Sequence, residues 1–144
     1  MASASARYHI HSVILFDGEQ VMVQVYGINH VALDVNDLDK AIAFYTDILD
    51  VKIMRKKGNN AMLDLNGRFD FLALFEDPSI DPNVPKDGHW GIVVDNLEEV
   101  RSRVEKWGVK FYTGFECDFR DPFGYRVQVI RKADVTKQPT PDET

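Results

Sequence analysis

One nine-residue run occurs twice in this chain, and that repetition restricts its fold more than any other feature. His30-Val-Ala-Leu-Asp-Val-Asn-Asp-Leu38 lies over His89-Trp-Gly-Ile-Val-Val-Asp-Asn-Leu97. Each copy opens on a histidine, runs through a β-rich stretch and reaches a helix-entry leucine eight positions later. Self-similarity over this distance means that one supersecondary unit has been used twice.

Periodicity defines the unit. In the first half, Ile28 to Val35 reads as a strand. Asn36 and Asp37 offer a helix N-cap, and Leu38, Ala41, Ile42, Tyr45, Ile48 and Leu49 follow at helical spacing. Val51 to Met54, Ala61 to Leu65 and Phe69 to Phe75 read as three further strands, the last two joined by the turn Asn66-Gly67. Asp77 to Gly88 holds three prolines and no period, and reads as a linker. The order then recurs: a strand His89 to Val94, then a helix capped by Asn96, with Glu99 as the reciprocal half of a capping box. Leu97, Val100, Val104 and Trp107 form its apolar stripe, and Gly108 ends it. Strands at Val109 to Tyr112, about Glu116 to Arg120, and Tyr125 to Arg131 complete the half, with Asp121-Pro-Phe-Gly124 as the last turn. The expected fold is α+β: two tandem βαβββ modules, residues 27–76 and 88–131, forming a curved mixed sheet. Its helices cover one face and leave the other to enclose a ligand cavity.

Ahead of the repeat, residues 1–26 form an extension with a hairpin, Tyr8 to Phe16 and Val21 to Tyr26 around Asp17-Gly18. The repeated domain starts soon after Met22, so this extension reads as an addition, with dimerisation as its use. Residues 132–144 are polar with two prolines and read as a flexible tail.

Strand alternation sorts the polar residues by face. Val31, Leu33 and Val35 belong to the helix side, with His30 and Ala32 opposite. Trp90, Ile92 and Val94 belong to the helix side, with His89, Gly91 and Val93 opposite. Val127 and Val129 face the helix, leaving Arg126, Gln128 and Ile130 on the open face. Leu72 and Leu74 suit helix packing, so Phe71, Ala73 and Phe75 are assigned to an apolar wall of the cavity. Arg126 reads either as an anion contact at the cavity mouth or as a surface arginine at a strand edge. A histidine on a strand is more often structural than a ligand, and two at equivalent positions also follow from duplication alone. Glu76 has the opposite parity to the open face. Asp34 and Asp118 read as solvent-facing, His9 and His11 as an exposed pair, and Tyr45 and Trp107 as core.

Composition excludes several classes. The formal charge is −6, with 17 basic and 23 acidic residues, so nothing draws the chain to nucleic acid or an anionic membrane. The single cysteine, Cys117, allows no internal disulfide and reads as a buried, inert thiol. No apolar run is long enough to cross a membrane. A cytoplasmic location is the expectation.

Three segments together resemble the vicinal oxygen chelate superfamily, which includes glyoxalases, bleomycin-resistance proteins and extradiol dioxygenases. They are Ile28-Asn-His-Val-Ala-Leu-Asp-Val-Asn-Asp-Leu-Asp-Lys-Ala-Ile-Ala-Phe-Tyr45, Gly88-His-Trp-Gly-Ile-Val-Val94 and Asp121-Pro-Phe-Gly-Tyr-Arg-Val-Gln-Val129. The resemblance spans residues 27–131. It implies a divalent metal, Fe, Mn, Ni or Zn, on the concave face, with His30 and His89 as ligands and Gln128 at the position the family usually gives to glutamate. Phe71 and Ala73 occupy the inward positions from which a fourth ligand would come. An amide carries no charge, so a His-His-Gln site is weaker than one with a carboxylate and offers no carboxylate base there. The resemblance therefore implies a metal-dependent lyase, isomerase or dioxygenase acting on a small organic molecule. The alternative is a metal-free small-molecule binding protein like the bleomycin-resistance branch. A third reading is a scaffold or regulatory dimer built on the N-terminal hairpin. A homodimer is expected.

Overall fold

The computed structural model describes residues 13–14 and 20–135. The strand pair β1 (Val13–Ile14) and β2 (Gln20–Val21) is antiparallel. The first module follows as β3 (His30–Val35), α1 (Leu38–Leu49), β4 (Lys52–Lys57), β5 (Asn60–Asp64) and β6 (Phe71–Glu76). The second is β7 (His89–Val94), α2 (Leu97–Lys106), β8 (Asp118–Arg120) and β9 (Arg126–Arg131), with a short α3 (Lys132–Val135). The first sheet has the order β3-β6-β5-β4 and the second β7-β9-β8. In both, the first strand pairs in parallel with the last strand of its module, and the other pairings are antiparallel. The two modules share the parallel pairing of first and last strand, but the first is βαβββ with four strands and the second has three.

Alternation decides which face is buried. Leu33, Val35, Ala61, Leu63, Leu72 and Leu74 lie under α1, and Val127 and Val129 under α2, all within one core that spans both modules. Asp37 accepts the Lys40 N–H at the start of α1, and the Glu76 carboxylate takes the Leu38 N–H (2.8 Å). Glu76 is therefore spent on the helix N-terminus, where a negative charge is favourable. Asp50, in the left-handed conformation (φ 53), closes the helix.

The modules are joined through their helices. Phe44 meets Trp107 and Phe119 edge to face, at 5.2 and 6.0 Å between ring centroids. The Trp107 indole N–H donates to Asp47 (2.7 Å), and Arg103 reaches the Asp47 carbonyl and the Asp50 carboxylate. Deeper, the Tyr45 hydroxyl donates to Asp121, which is 4% exposed and also accepts the Phe123 and Tyr125 N–H groups. Gly124 closes that turn at φ +95. A Cβ there would stand 2.6 Å from the Val84 carbonyl, so the linker lies where only glycine permits it.

Several elements differ from the sequence expectation. Residues 22–29 form no strand, and Met22, Val23, Val25, Tyr26 and Ile28 are exposed. Most of the predicted Tyr8–Phe16 strand, with His9 and His11, lies outside the described residues. The predicted strand Val109–Tyr112 reduces to one bridge, Phe111 to Phe119, because the chain turns away at Gly114 (φ +85). The capping box at α2 is half formed: Asn96 accepts the Glu99 N–H, while the Glu99 carboxylate pairs with Arg103. Lys132–Val135, expected in the tail, is a helical turn.

Two outcomes are expected. Tyr45→Phe removes the hydroxyl from a buried carboxylate and should destabilise the protein by about 1–3 kcal/mol in urea unfolding; an unchanged midpoint would show that the bond contributes nothing. Burial raises the Cys117 thiol from 9.0 to about 11. The folded state then keeps a proton that the unfolded state loses, so stability should fall as pH rises above 9.0 toward 11. Alkylation of the native protein at pH 8 should accordingly be slow, and rapid modification there would contradict a buried protonated thiol.

Candidate functional site

Each module opens a face opposite its helix. On the first sheet that face carries His30, Ala32 and Asp34 from β3, and Phe71, Ala73 and Phe75 from β6. His30 stacks on Phe71, its register partner, at 4.9 Å and 13° between planes. Its Nδ1 lies 2.7 Å from the Asn29 side-chain oxygen. Ala73 is 2% exposed, between Ala32 and Met62 in the register, whereas Phe75 is exposed.

On the second sheet, the open face carries His89, Gly91 and Val93 from β7, Arg126, Gln128 and Ile130 from β9, and Asp118 from β8. His89 is opposite Arg126, and Gly91 is opposite Gln128. A Cβ built on Gly91 would meet Ile130 Cδ1 at 3.5 Å and the Gln128 Cβ at 4.0 Å, so the glycine is flanked by both side chains. His89 and Gln128 are thus diagonal neighbours on adjacent strands, with Cα atoms about 7–8 Å apart by strand geometry. Such a spacing lets two side chains converge on one ion.

Asp118 corrects the sequence reading. It is 2% exposed rather than solvent-facing, sits directly across from Gln128, and pairs with Arg126 at 2.7 Å. Arg126 also lies over the Tyr112 and Phe115 rings, at 4.6 and 5.0 Å to their centroids. Its guanidinium is therefore already engaged by a carboxylate and two aromatic faces. Sequence reasoning missed this pair because the irregular chain before β8 decides its burial.

Between the modules lies a cavity of 340 Å³. The start of β3 and its flank (Ile28, Asn29, His30, Val31) form one side, with Phe71, Asp70 and Arg68 near them. Trp90, Gly91, Ile92 and Val93 of β7 form the other. β3 and β7 are the unpaired edges of their sheets. At the far end of β3, the Asp34 N–H and carbonyl both bond the Tyr125 hydroxyl, and Tyr125 precedes Arg126, the register partner of His89. The two edges therefore run in opposite directions, with His30 near the end of β7 and His89 toward the end of β3. Four residues of strand, about 13 Å, separate His30 from Asp34. Of the residues assigned from sequence, the cavity is lined by His30 and Phe71. His89, Gln128, Arg126, Ala73 and Phe75 are not among its lining residues. Within one chain His89 and Gln128 stand diagonally on adjacent strands, and the cavity lined by His30 is lined by neither of them.

The donor set fits a divalent transition metal in kind. Two imidazoles and an amide oxygen are neutral ligands suited to Mn, Fe, Ni or Zn, and the exposed His30 and His89 rings are accessible. Among the described residues no three of His, Cys, Asp and Glu gather into a cluster.

Two modules that each pair their first and last strands in parallel, with histidines at equivalent first positions, define a fold of the glyoxalase type. The family model for the glyoxalase/bleomycin resistance protein/dioxygenase superfamily matches residues 27–129, and the chain belongs to that superfamily. It is 35% identical over 105 residues to a metallothiol transferase FosB from Lysinibacillus sphaericus, covering 67% of this chain and 70% of the relative. The fold matches a fosfomycin resistance protein, FosX, from Listeria monocytogenes, with a TM-score of 0.65 and 17% identity over 81% of this chain and all of the other. It also matches a glyoxylase/bleomycin resistance protein/dioxygenase domain from Frankia, with a TM-score of 0.58 and 27% identity over 74% and 97% of the two chains. No helix among the described residues is long and apolar enough to cross a membrane.

Removing Arg126 leaves the Asp118 carboxylate buried and unpaired. Arg126→Ala should destabilise the fold by about 3 kcal/mol, read from urea unfolding, and adding Asp118→Asn should recover part of that loss. A double variant no more stable than Arg126→Ala would place the loss elsewhere.

Proposed function

We propose that the protein is a metal-dependent enzyme, a lyase, isomerase or dioxygenase, acting on a small organic molecule at the open face of its sheets. His30, His89 and Gln128 hold a divalent cation, and Phe71, stacked on His30 and lining the cavity, supplies the apolar wall in place of the buried Ala73. The observation that carries this reading is the placement of His89 and Gln128 on adjacent strands beside Gly91, within a chain of the glyoxalase superfamily. Support for the metal comes from relatives: one is named a metallothiol transferase, and FosX has been crystallised with Mn(II) and 1S,2S-dihydroxypropylphosphonic acid.

A divalent metal held there would supply Lewis-acid polarisation of substrate oxygen atoms. His30, His89 and Gln128 would hold it as neutral donors. The Gln128 amide takes and gives no proton in that role, so any proton transfer falls to another group. Arg126, neutralised by Asp118, orders the face without adding net charge to it.

His30 stands apart from the His89–Gln128 pair within one chain, so a site using all three is built from two copies. The homodimer is therefore part of the proposal, and so is a cytoplasmic setting. The exposed apolar segment Val21–Ile28, which leads directly into His30, supplies surface for such an association. A second reading, a metal-free binding protein, rests on Gln128 in place of a carboxylate and on Phe71 and Ala73 at the positions of a fourth ligand.

Subunit mixing separates the readings. His30→Ala and His89→Ala should each reduce Mn²⁺ or Ni²⁺ affinity at least tenfold in calorimetric titration. Gln128→Glu should strengthen it by restoring a charged ligand. Mixing and refolding the two histidine variants should restore tight binding to about half the sites of each mixed dimer, since one site then retains both histidines. A wild-type protein that binds none of Mn²⁺, Fe²⁺, Ni²⁺ or Zn²⁺ would leave the metal-free reading. Metal binding by a monomer would remove the two-chain site.

A further inference from the structure

We infer that Asn29 is a positioning residue that holds His30 in a single tautomer, with the proton on Nδ1 and the Nε2 lone pair presented to the open face. The metal-binding use of that lone pair rests on the proposed function; the tautomer itself does not.

The geometry is specific. The Asn29 side-chain nitrogen donates to the Phe69 carbonyl at 2.8 Å. That bond fixes which way round the amide lies: reversed, its oxygen would face another oxygen. The Asn29 oxygen is therefore the atom 2.7 Å from His30 Nδ1, and an amide oxygen only accepts. Nδ1 must then carry the hydrogen, and a neutral imidazole with Nδ1–H has its free lone pair on Nε2.

The amide is in turn held in place by backbone. The Phe71 N–H donates to the Asn29 carbonyl at 2.9 Å, so main chain and side chain of Asn29 both tie the entrance of β3 to the Phe69–Phe71 segment. The Phe71 ring, stacked on His30, limits rotation about the remaining torsion. An acceptor on one ring nitrogen that sets the tautomer and aims the other nitrogen is the usual way proteins prepare an imidazole for a cation. The second module does not repeat the device: the residue before His89 is Gly88, which has no side chain to offer. The two histidines that lead the repeat are therefore not equivalent, and only His30 is pre-set from the preceding position.

The test is long-range ¹H–¹⁵N correlation of the imidazoles in metal-free protein, with His30 assigned by its loss in His30→Gln. The wild type should show His30 with Nδ1 protonated. Asn29→Ala should shift it to a mixture rich in Nε2–H. In Mn²⁺ or Ni²⁺ titrations, Asn29→Ala should weaken binding by about 10–100-fold. An Nε2–H wild type, or an Asn29→Ala protein whose tautomer is unchanged, overturns the inference. The wild-type measurement decides the matter even if a variant does not fold. If no form binds metal but the tautomer follows residue 29 as described, the positioning role stands and the metal reading fails.

Discussion

The Asp121 carboxylate is the joint on which the two halves turn. It accepts the Tyr45 hydroxyl from the first module's helix and two N–H groups of its own turn in the second. Burial pushes its carboxyl upward, opposed by the Tyr45 hydroxyl and those amides, and burial is also the main cause of the raised Tyr45 hydroxyl. A buried acid is tolerable only when its lone pairs are occupied, which makes the arrangement demanding. The turn so held presents Tyr125 to the Asp34 backbone and starts β9 in register with β7. The spacing of the two sheet edges, and with it the cavity between them, follows from that contact.

The open faces have a different logic. Their residues are set by strand parity, but their electrostatics are set by neighbours from other strands. On β9 the positive charge of Arg126 is cancelled by Asp118 one strand away, leaving the face near Gln128 without the excess charge that an unpaired arginine would bring. On β3 an asparagine and a phenylalanine orient His30. The two leading histidines therefore share a position in the repeat but not their surroundings.

The alternation of Val31, Leu33 and Val35 against His30 and Ala32, and of Leu72 and Leu74 against Phe71 and Phe75, could be read directly, because one buried face imposes a period of two. The helices were legible for the same reason, with their caps at Asp37 and Asn96. The misreadings fall where no period operates. The chain from Val109 to Glu116 holds β-forming residues but turns at Gly114, and local propensity cannot show how many ladder bonds will form. Asp118 was misjudged because the rings that flank its partner, Tyr112 and Phe115, lie on that irregular stretch. Asn29 and Asp121 stood inside the recognised segments, and their positions, just before a leading histidine and opening a Pro-Phe-Gly turn, were the available signals.

By itself the sequence determined the repeat, the two long helices and the faces of β3, β6, β7 and β9, because these depend on spacing along the chain; the superfamily was indicated by the resemblance of three segments. Only the tertiary structure decided that Asp118 is buried against Arg126, that Tyr45 and Asp121 join the modules, and that His30 lines a cavity that takes neither His89 nor Gln128. Those relations link residues of separate strands and helices. They depend on the distance and angle between packed elements, which no periodicity in a single chain records.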